Sequence, residues 1–292
     1  MSNHSTISGK TKLLGLLGSP VSHSISPKMH NTAFSYHGID YVYLCFDVDT
    51  TTLKDAVAAA KTFNMRGFNL TMPNKNDVHL YLDHISDAAK LSGSVNTVVN
   101  ENGILYGHNT DGMGYFEALK ELSYDVKGQI ITVLGDGGAS RAICSQAALN
   151  GADTIYIVCL DPFKEASKTF ADKIMEFTSC KVVLKDIEVK EDLDSAVLAS
   201  SLVVNATSVG MGENTTQTLI EDFTIYSNKP LVSDVIYLPK ETEFLKRARL
   251  AGLKTCNGLG MLLYQGAHAF KLWTGEDMPI DVVKKNCFPE LI

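Results

Sequence analysis

The sequence predicts an α/β protein built from two domains. Short apolar runs of the kind found in β-strands alternate with helical stretches over almost the whole chain, which favours parallel sheets covered by helices on both faces. One of these runs, near the middle of the chain, breaks directly into a glycine-rich turn. The length of 292 residues and the hydrophobic content of 45% suffice for two cores.

The elements of the N-terminal part are predicted from apolar runs, a proline and one turn signal. Pro27 is well placed to begin a helix, and the alanine-rich stretch "LKDAVAAAKTF" is typical of another. Asn102-Gly103 lies between two apolar runs and predicts the tight turn of a β-hairpin. In order we expect strand 13–18, helix 27–37, strand 41–48, helix 53–63, strand 67–72 and a hairpin within 95–110.

The alternation continues more regularly through the rest of the chain. A helix starts at residue 112 and leads to the strand "IITVLG". Beyond it we expect helix 139–150, strand 154–160, helix 163–177, strand 181–186, helix 191–199, strand 201–206, strand 231–237 as the last clear strand, helix 241–251 and a final helix at 260–275. The predicted domains are 1–113 completed by C-terminal helices within 260–292, and 114–259, with a cleft between them.

The glycine-rich turn connects a strand to a helix and reads Gly135-Asp136-Gly137-Gly138-Ala139-Ser140. The first glycine permits a tight turn, and the second lets the backbone approach a pyrophosphate. The helix that follows offers oriented N–H groups and partial positive charge. Ser140, in place of a third glycine, is small enough for close helix–strand packing. A bare glycine pattern also fits a structural turn, but its βαβ context predicts a Rossmann-type dinucleotide-binding domain. We expect the Asp136 side chain to point to solvent while its amide joins the turn.

Asp161 ends the next strand, at the place where the adenosine ribose of a bound dinucleotide would lie. A carboxylate there accepts hydrogen bonds from the ribose hydroxyls and repels a 2′-phosphate. No arginine follows, and Lys164 is the nearest cation in the sequence. This pattern favours NAD over NADP. The alternative is that Asp161 only caps the helix predicted at 163–177.

Composition excludes several other classes of protein. The formal charge of −7 is spread along the chain without a basic stripe, so a nucleic-acid partner is not expected. The polar N-terminus lacks the apolar core of a secretory signal, and no apolar run reaches the ~18 residues that span a membrane. The six cysteines are scattered without a C-x-x-C pair, which argues against structural zinc and disulfides and suits a cytoplasmic location.

Oxidation of an alcohol by a nicotinamide cofactor requires a group that accepts the hydroxyl proton. No Cys/His constellation suggests catalytic zinc, and no tyrosine has a lysine four residues further on. Three polar stretches of the first domain offer other groups, and each has a structural alternative. Ser24 and Ser26 precede a helix, so Ser26 also fits an N-cap. Thr71 and Lys75 follow a strand, and Lys75 also fits a surface position. The third stretch provides Asn96, Thr110 and Asp111, and Asp111 also fits a helix cap. Together they suggest a pocket for a small polyhydroxy acid.

Eight motifs, collinear from residue 18 to 275, resemble the shikimate dehydrogenase family: "GSPVSHSISPKMHN", "NLTMPNK", "GSVNT", "GHNTDGMG", "GDGGASRA", "NATSVGM", "DVIYLPKET" and "GLGMLLYQGAHAFKLWTG". The resemblance implies reversible oxidation of a ring hydroxyl of shikimate to 3-dehydroshikimate with a nicotinamide cofactor. It implies Lys75 and Asp111 as the catalytic pair, with Lys75 transferring the proton and Asp111 orienting it. It also implies that substrate contacts come from Ser24, Ser26, Tyr43, Thr71, Asn96, Thr110, Tyr237 and Gln265.

The resemblance extends to the cofactor contacts of the second domain. "NATSVGM" ends a strand near the nicotinamide end of the site, where Met211 and Met261 are expected to pack on the ring and Gly258 to permit close approach of the carboxamide. The predicted cofactor-binding residues are Gly135, Asp136, Gly137, Gly138, Ala139, Asp161, Asn205, Ala206, Thr207, Val235, Gly258 and Met261.

Departures from the family pattern indicate its quinate/shikimate branch. Family members that use NADP usually carry Asn-Arg-Thr where this chain has Cys159-Leu160-Asp161, and Asp136 replaces the usual alanine. We therefore expect NAD as preferred cofactor with NADP possible, oxidation of shikimate and of quinate to 3-dehydroquinate, and a homodimer as a possible assembly. One alternative is a strictly NADP-dependent biosynthetic shikimate dehydrogenase. The other, from a different class, is a non-catalytic regulatory protein that binds quinate or nucleotide.

Overall fold

The computed structural model describes residues 7–291, and it divides the chain into two compact units. The first unit comprises the described residues up to Thr110 together with those from Leu263 onward, and the second comprises Asp111–Leu262. The domains expected from the sequence have their boundaries three residues away, after 113 and before 260. Among the described helices, none is long and apolar enough to cross a bilayer.

The first unit is built on a six-stranded sheet in the order β2-β1-β3-β5-β6-β4. β3 and β2 run parallel to β1, whereas β5 runs antiparallel to both β3 and β6. The elements of this unit are β1 (Lys12–Gly18), α1 (Ser26–His37), β2 (Tyr41–Asp47), α2 (Leu53–Thr62), β3 (Gly67–Leu70), a 3₁₀ turn (Val78–Tyr81), β4 (His84–Ile85), α3 (Asp87–Ser92), β5 (Thr97–Glu101) and β6 (Ile104–His108).

Turn chemistry explains the part of this unit that the sequence predicts best. Asn102 and Gly103 both have positive φ, 55° and 92°, which is the geometry of a tight hairpin turn between β5 and β6. The predicted hairpin is therefore confirmed. The sequence did not predict β4 or α3, because elements of two and six residues are too short to show a hydrophobic period. Ser86 caps α3 by accepting a hydrogen bond from the Ala89 N–H.

The second unit contains a wholly parallel sheet in the order β12-β11-β10-β7-β8-β9. Taken from its other edge, this is the 3-2-1-4-5-6 order of a dinucleotide-binding fold. The predicted α/β fold is confirmed. Its elements are α4 (Asp111–Lys120), β7 (Ile130–Leu134), α5 (Gly138–Leu149), β8 (Thr154–Cys159), α6 (Glu165–Phe177), β9 (Lys181–Asp186), α7 (Lys190–Ala199), β10 (Leu202–Asn205), a 3₁₀ turn (Gly212–Asn214), β11 (Leu231–Asp234), α8 (Glu243–Leu250) and β12 (Thr255–Cys256).

Two differences between the predicted and observed elements of the second unit have a clear local cause. α6 begins at Glu165 rather than at residue 163, because Asp161 and Pro162 first form a turn in which the Asp161 carboxylate accepts the Phe163 N–H. The two-residue strand β12 follows β11, so β11 is not the last strand. β12 was missed because two residues carry no alternation signal.

The C-terminal helices are α9 (Leu259–Thr274) and α10 (Ile280–Cys287), followed by a 3₁₀ turn (Pro289–Leu291). Within the first unit, the end of α9 is anchored to the sheet. The Trp273 indole N–H donates to the Val98 carbonyl at 2.9 Å, and the Arg66 guanidinium donates to the Trp273 carbonyl at 2.8 Å. Because these carbonyls and the indole are largely buried, the C-terminal segment completes the core of the first unit.

His30 lies at the centre of that core and is fully buried. Its imidazole stacks on Tyr43 with ring centroids 4.6 Å apart and meets the edge of Trp273 at 5.1 Å. No hydrogen-bond partner for either ring nitrogen occurs among the residues that the structure describes. The imidazole is therefore held by ring packing rather than by hydrogen bonds. Burial lowers the pKa of His30 to about 3.

Replacing His30 with phenylalanine should reduce the sensitivity of folding to acid. The unfolded chain binds a proton at this residue below about pH 6.5, whereas the folded chain does so only near pH 3. Stability is therefore lost as pH falls through this window, by about 1.4 kcal/mol per pH unit. Urea titrations at pH 7 and pH 5 give the drop in the free energy of unfolding between the two pH values. This drop should be about 2 kcal/mol smaller in His30→Phe than in the wild type. The exposed-site control His79→Gln should keep the wild-type dependence, and equal losses in all three proteins would contradict this account.

Candidate active site

Polar side chains of the first unit collect at one edge of its sheet. Thr71 follows the carboxyl end of β3, Asn96 precedes the antiparallel β5, and Thr110 follows the carboxyl end of β6, so all three lie at the same edge. The Asn96 side-chain amide donates from Nδ2 to the Thr110 hydroxyl at 2.9 Å, and its side-chain oxygen Oδ1 accepts the Thr110 N–H at 2.8 Å. These bonds hold two fully buried polar side chains in one orientation.

Lys75 and Gln265 belong to the same polar edge. The Lys75 carbonyl accepts the N–H of Val95, the residue before Asn96, at 2.8 Å. Gln265 lies on α9, and its side-chain oxygen accepts from the Asn96 amide at 3.5 Å. Lys75 is half-buried rather than a fully solvated surface lysine. The first unit thus brings Thr71, Lys75, Asn96, Thr110 and Gln265 to one place, although they come from four separate stretches of sequence.

Asn69 supports this edge and was not predicted. Its amide donates to the Asn96 carbonyl at 3.0 Å and to the Thr97 hydroxyl at 2.9 Å, and its oxygen accepts from the Tyr43 hydroxyl at 2.7 Å. Tyr43 has no exposed surface, and burial raises the pKa of its phenol well above the ordinary value. Tyr43 therefore contacts Asn69 from inside the core. A polar residue in the middle of the strand "GFNL" was the only sequence signal for Asn69.

The structure does not support the alternative that Ser26 is the N-cap of α1. α1 begins at Ser26 itself, its N-cap is Ile25, and no side chain caps it. Ser26 is buried and hydrogen-bonds Tyr43, and its own N–H donates to the Ser24 hydroxyl at 3.2 Å. The interpretation of Ser26 as an N-cap is therefore wrong. Pro27 in the first turn is the part of the predicted helix start that the structure shows.

The glycine loop of the second unit follows β7, which lies between β10 and β8 in the sheet. Gly135 has a φ of +101°, and a Cβ there would lie 2.8 Å from the Thr207 methyl group, so glycine is required on both counts. Gly137 is the N-cap of α5, and Gly137 and Gly138 are exposed. The first N–H groups of α5 have no acceptors within the helix, and a pyrophosphate fits such a terminus. Ala139 is half-buried and Ser140 buried in the first turn.

The loops after β10 and β11 are held by Asp234, which sequence reasoning missed. Its carboxylate is fully buried and accepts from the Thr242 hydroxyl at 2.7 Å, the Asn205 amide at 3.1 Å and the Ile236 N–H at 2.9 Å. Burial raises the pKa of Asp234 although these bonds oppose the shift. The Asn205 oxygen in turn accepts from the Thr207 hydroxyl at 2.7 Å.

The remaining predicted cofactor residues flank these loops. The Val235 N–H donates to the Asn205 carbonyl at 3.0 Å, and Ala206 is buried. A Cβ on Gly258 would overlap the Val235 carbonyl oxygen, so the close packing of this loop requires glycine. Met261 is half-buried against the core of the second unit, whereas Met211 and Tyr237 are 49% and 44% exposed.

Three carboxylates of the second unit bear on the predicted nucleotide chemistry. Asp161 is exposed after β8 and is not the N-cap of α6, which is Lys164, so the capping alternative is wrong. Asp136 does not point to solvent as expected, because its carboxylate accepts a hydrogen bond from the Ser167 hydroxyl of α6 at 2.8 Å. Asp111 is half-buried and is the first residue of α4.

Among the described residues, no cluster of histidine, cysteine and acidic side chains suits a metal ion.

A parallel sheet in this order, with a glycine loop after its first strand, defines a dinucleotide-dependent oxidoreductase when it is joined to a polar substrate unit. A model of the shikimate dehydrogenase substrate binding domain matches residues 16–98, and a model of the shikimate 5′-dehydrogenase C-terminal domain matches residues 258–285. The chain is 47% identical over 284 residues to a protein of Listeria monocytogenes serotype 4b (strain F2365) named shikimate dehydrogenase (NADP(+)), with 97% of each chain covered.

Solved structures agree with this match. A crystal structure of shikimate 5-dehydrogenase from Listeria monocytogenes, in complex with shikimate and NAD, has a TM-score of 0.92 at 46% identity, covering 96% of this chain and 97% of that one. Quinate dehydrogenase from Corynebacterium glutamicum, in complex with NAD, has a TM-score of 0.83 at 30% identity, covering 94% and 98%. The chain belongs to the shikimate dehydrogenase family of nicotinamide-dependent oxidoreductases, as predicted.

Replacing Asp234 with alanine should strongly destabilise the protein. Three donors would lose a buried acceptor, and each unsatisfied buried group costs about 1–3 kcal/mol before the structure relaxes. We expect the free energy of unfolding to fall by about 3 kcal/mol or more in urea titrations. The control Asp222→Ala removes an exposed carboxylate that only holds its own turn, and it should cost less than about 1 kcal/mol. Equal losses in the two variants would refute the supporting role of Asp234.

Proposed function

We propose that the protein catalyses the reversible oxidation of shikimate to 3-dehydroshikimate, and of quinate to 3-dehydroquinate, with a nicotinamide cofactor. The observation that carries the proposal is the polar edge of the first unit, where Lys75, Asn96 and Gln265 are brought together with two threonines. Such a set suits a substrate with several hydroxyl groups and a carboxylate. The family relatives support the same substrates, since the Listeria structure contains shikimate and the Corynebacterium structure is of a quinate dehydrogenase.

The cofactor, when bound, supplies the hydride acceptor at its nicotinamide ring. Lys75 accepts the proton of the reacting hydroxyl as the carbonyl forms, and Asp111 orients the lysine amine. Asp111 follows Thr110 directly in the chain, so the bonds between Thr110 and Asn96 fix the point from which it extends. Ser24 and Ser26 bind the substrate carboxylate. Ring hydroxyls are bound by Thr71, Asn96 and Gln265, with Thr110 and Tyr237 lining the site, and Tyr43 acts through Asn69.

The second unit carries features that fit a dinucleotide. The positive φ of Gly135, the exposed start of α5 and the glycine required at position 258 are the three observations. Contacts to the pyrophosphate come from main-chain N–H groups of the glycine loop, so the Asp136 side chain takes no part in them; the loop consists of Gly135, Asp136, Gly137, Gly138 and Ala139. Contacts to the nicotinamide half come from Asn205, Ala206, Thr207, Val235, Gly258 and Met261. In this proposal the first unit is the substrate domain and the second unit is the dinucleotide-binding domain of a cytoplasmic enzyme.

We propose NAD as the preferred cofactor, because the exposed Asp161 carboxylate lies just beyond the end of β8, where the adenosine ribose binds in this fold. The second candidate is NADP, which the name of the Listeria relative favours. The Listeria structure in complex with NAD supports the first candidate. The two candidates differ only at the ribose 2′ position, so charge at that position separates them.

Replacing Lys75 with methionine should remove the proton acceptor while keeping an unbranched side chain of similar shape. General acid–base catalysis contributes about 10²–10⁴-fold, so kcat should fall by about that factor while KM for shikimate changes by less than about threefold. Dinucleotide reduction is followed at 340 nm with shikimate and with quinate. The matched control Lys54→Met alters an exposed lysine of α2 and should keep the wild-type rate. Absence of reduction by the wild type with either substrate would refute the proposed activity and favour a non-catalytic binding protein.

Wild-type initial rates should be higher with NAD than with NADP at equal concentrations. Replacing Asp161 with asparagine removes a negative charge but keeps an oxygen for the turn, so kcat/KM for NADP should rise about tenfold relative to that for NAD. A wild-type enzyme with a strong preference for NADP would show that Asp161 does not select the cofactor.

A further inference from the structure

Asp136 is the unexpected residue of the glycine loop, and its side chain leaves the loop in a definite direction. The carboxylate is half-buried and reaches Ser167, which is itself buried one turn inside α6. Because α6 follows β8, the side chain points from the end of β7 towards the β8 side of the sheet. This is the side on which the adenosine half of a dinucleotide lies in the 3-2-1-4-5-6 sheet order.

Asp136 and Asp161 place their charges near the neighbouring ends of β7 and β8. Leu134 at the end of β7 is in register with Val158 of β8, so the two aspartates leave neighbouring strand ends. Cys159, the last residue of β8, lies close to both side chains. Burial raises the pKa of its thiol to about 11, and the charges of Asp136, Asp161 and Asp186 add to the effect. Two carboxylates that follow adjacent strands therefore place negative charge near the proposed site of the adenosine ribose.

Arg141 hydrogen-bonds the Asp136 main chain, and its described contacts are with main-chain oxygens and a ring rather than with the Asp136 carboxylate. Arg141 donates from Nε to the Asp136 main-chain carbonyl at 3.2 Å and from Nη2 to the Ala166 carbonyl at 3.0 Å. Its guanidinium also lies 4.9 Å from the centre of the Phe170 ring. These contacts tie the glycine loop to α6 and orient the guanidinium towards main-chain oxygens and a ring. Ser167 then fixes the carboxylate itself by one neutral hydrogen bond, which leaves its charge in place.

We infer that Asp136 is a second specificity-determining residue for the cofactor: held by Ser167, it places a negative charge beside the adenosine ribose and, with Asp161, disfavours a nucleotide that carries a 2′-phosphate. The inference rests on the proposed function, because it concerns the nucleotide site of that function. Alanine, which the resemblance gives as the usual residue at this position, has no such charge. The residue therefore favours dinucleotides with a free 2′-hydroxyl whatever the substrate of the first unit.

The test is direct binding of NAD and NADP, measured by isothermal titration calorimetry without substrate. Asp136→Asn keeps an oxygen that can accept from Ser167 but removes the charge, so Kd for NADP should fall about tenfold while Kd for NAD changes by less than about twofold. Ser167→Ala keeps the charge and removes the hydrogen bond, so the NADP-to-NAD ratio of Kd values should change by less than about threefold. Unchanged NAD binding in each variant shows that the nucleotide site is still folded.

Asp186→Asn is the matched control for charge alone. Asp186 pairs with Cys159 across β8 and β9, one strand further from the glycine loop, and its carboxylate holds its own turn through the Glu188 N–H. This variant should leave the Kd ratio within about twofold of the wild type. A wild-type protein that binds neither dinucleotide would overturn the proposed function. Normal NAD binding with the same Kd ratio in Asp136→Asn and wild type would overturn only the role of Asp136, and so would equal shifts in Asp136→Asn and Asp186→Asn.

Discussion

The structure depends on one constraint, which is that buried polar groups at the carboxyl edges of both sheets must be hydrogen-bonded by the protein. In the first unit, the Asn69 amide donates to the Asn96 main-chain carbonyl, and the Asn96 amide donates to the Thr110 hydroxyl. In the second unit, Asp234 does the same for the loops that follow β10 and β11. A buried donor without a partner is costly, so each of these networks permits a single arrangement of its loops. The positions of the proposed ligand-binding residues are fixed by these two networks.

Local signals in the sequence predicted the elements and loops whose shape is decided by adjacent residues. The hairpin at Asn102-Gly103 and the glycine loop are of this kind, since positive φ at a turn is a property of the residue itself. The alternation of strands with helices predicted that the second unit would contain a parallel sheet, but not the order of its strands. The collinear motifs then identified the family, and matches over nearly the whole chain agree with them.

Features that depend on distant partners could not be predicted in the same way. Ser26 had the sequence of a helix cap, yet its hydroxyl bonds to Tyr43 on β2, which no local pattern reveals. Asp161 lies where the sequence suggested an N-cap for α6, but because of the turn at Pro162 this helix begins two residues later than predicted. Asn69 is a polar residue within the apolar strand β3 and Asp234 is the last residue of β11, and the importance of each is visible only with its partners in place. Asp136 was placed correctly in the loop, but the direction of its side chain depends on Ser167, about thirty residues further on.

The way in which the C-terminal segment completes the first unit has a consequence for how the chain is made. Trp273 and Arg66 join the end of α9 to strands formed by the first hundred residues, and the first unit is closed only by residues from Leu263 onward. A ribosome delivers the chain from its N-terminus, so all of the continuous second unit is available to fold before the first unit has its last pieces. Until then the pocket around Gly67 that receives the Trp273 indole exposes apolar surface. The nascent first unit is therefore the part of this protein whose apolar surface most needs to be covered by a chaperone. A truncation that removes the last helices would leave this surface exposed permanently.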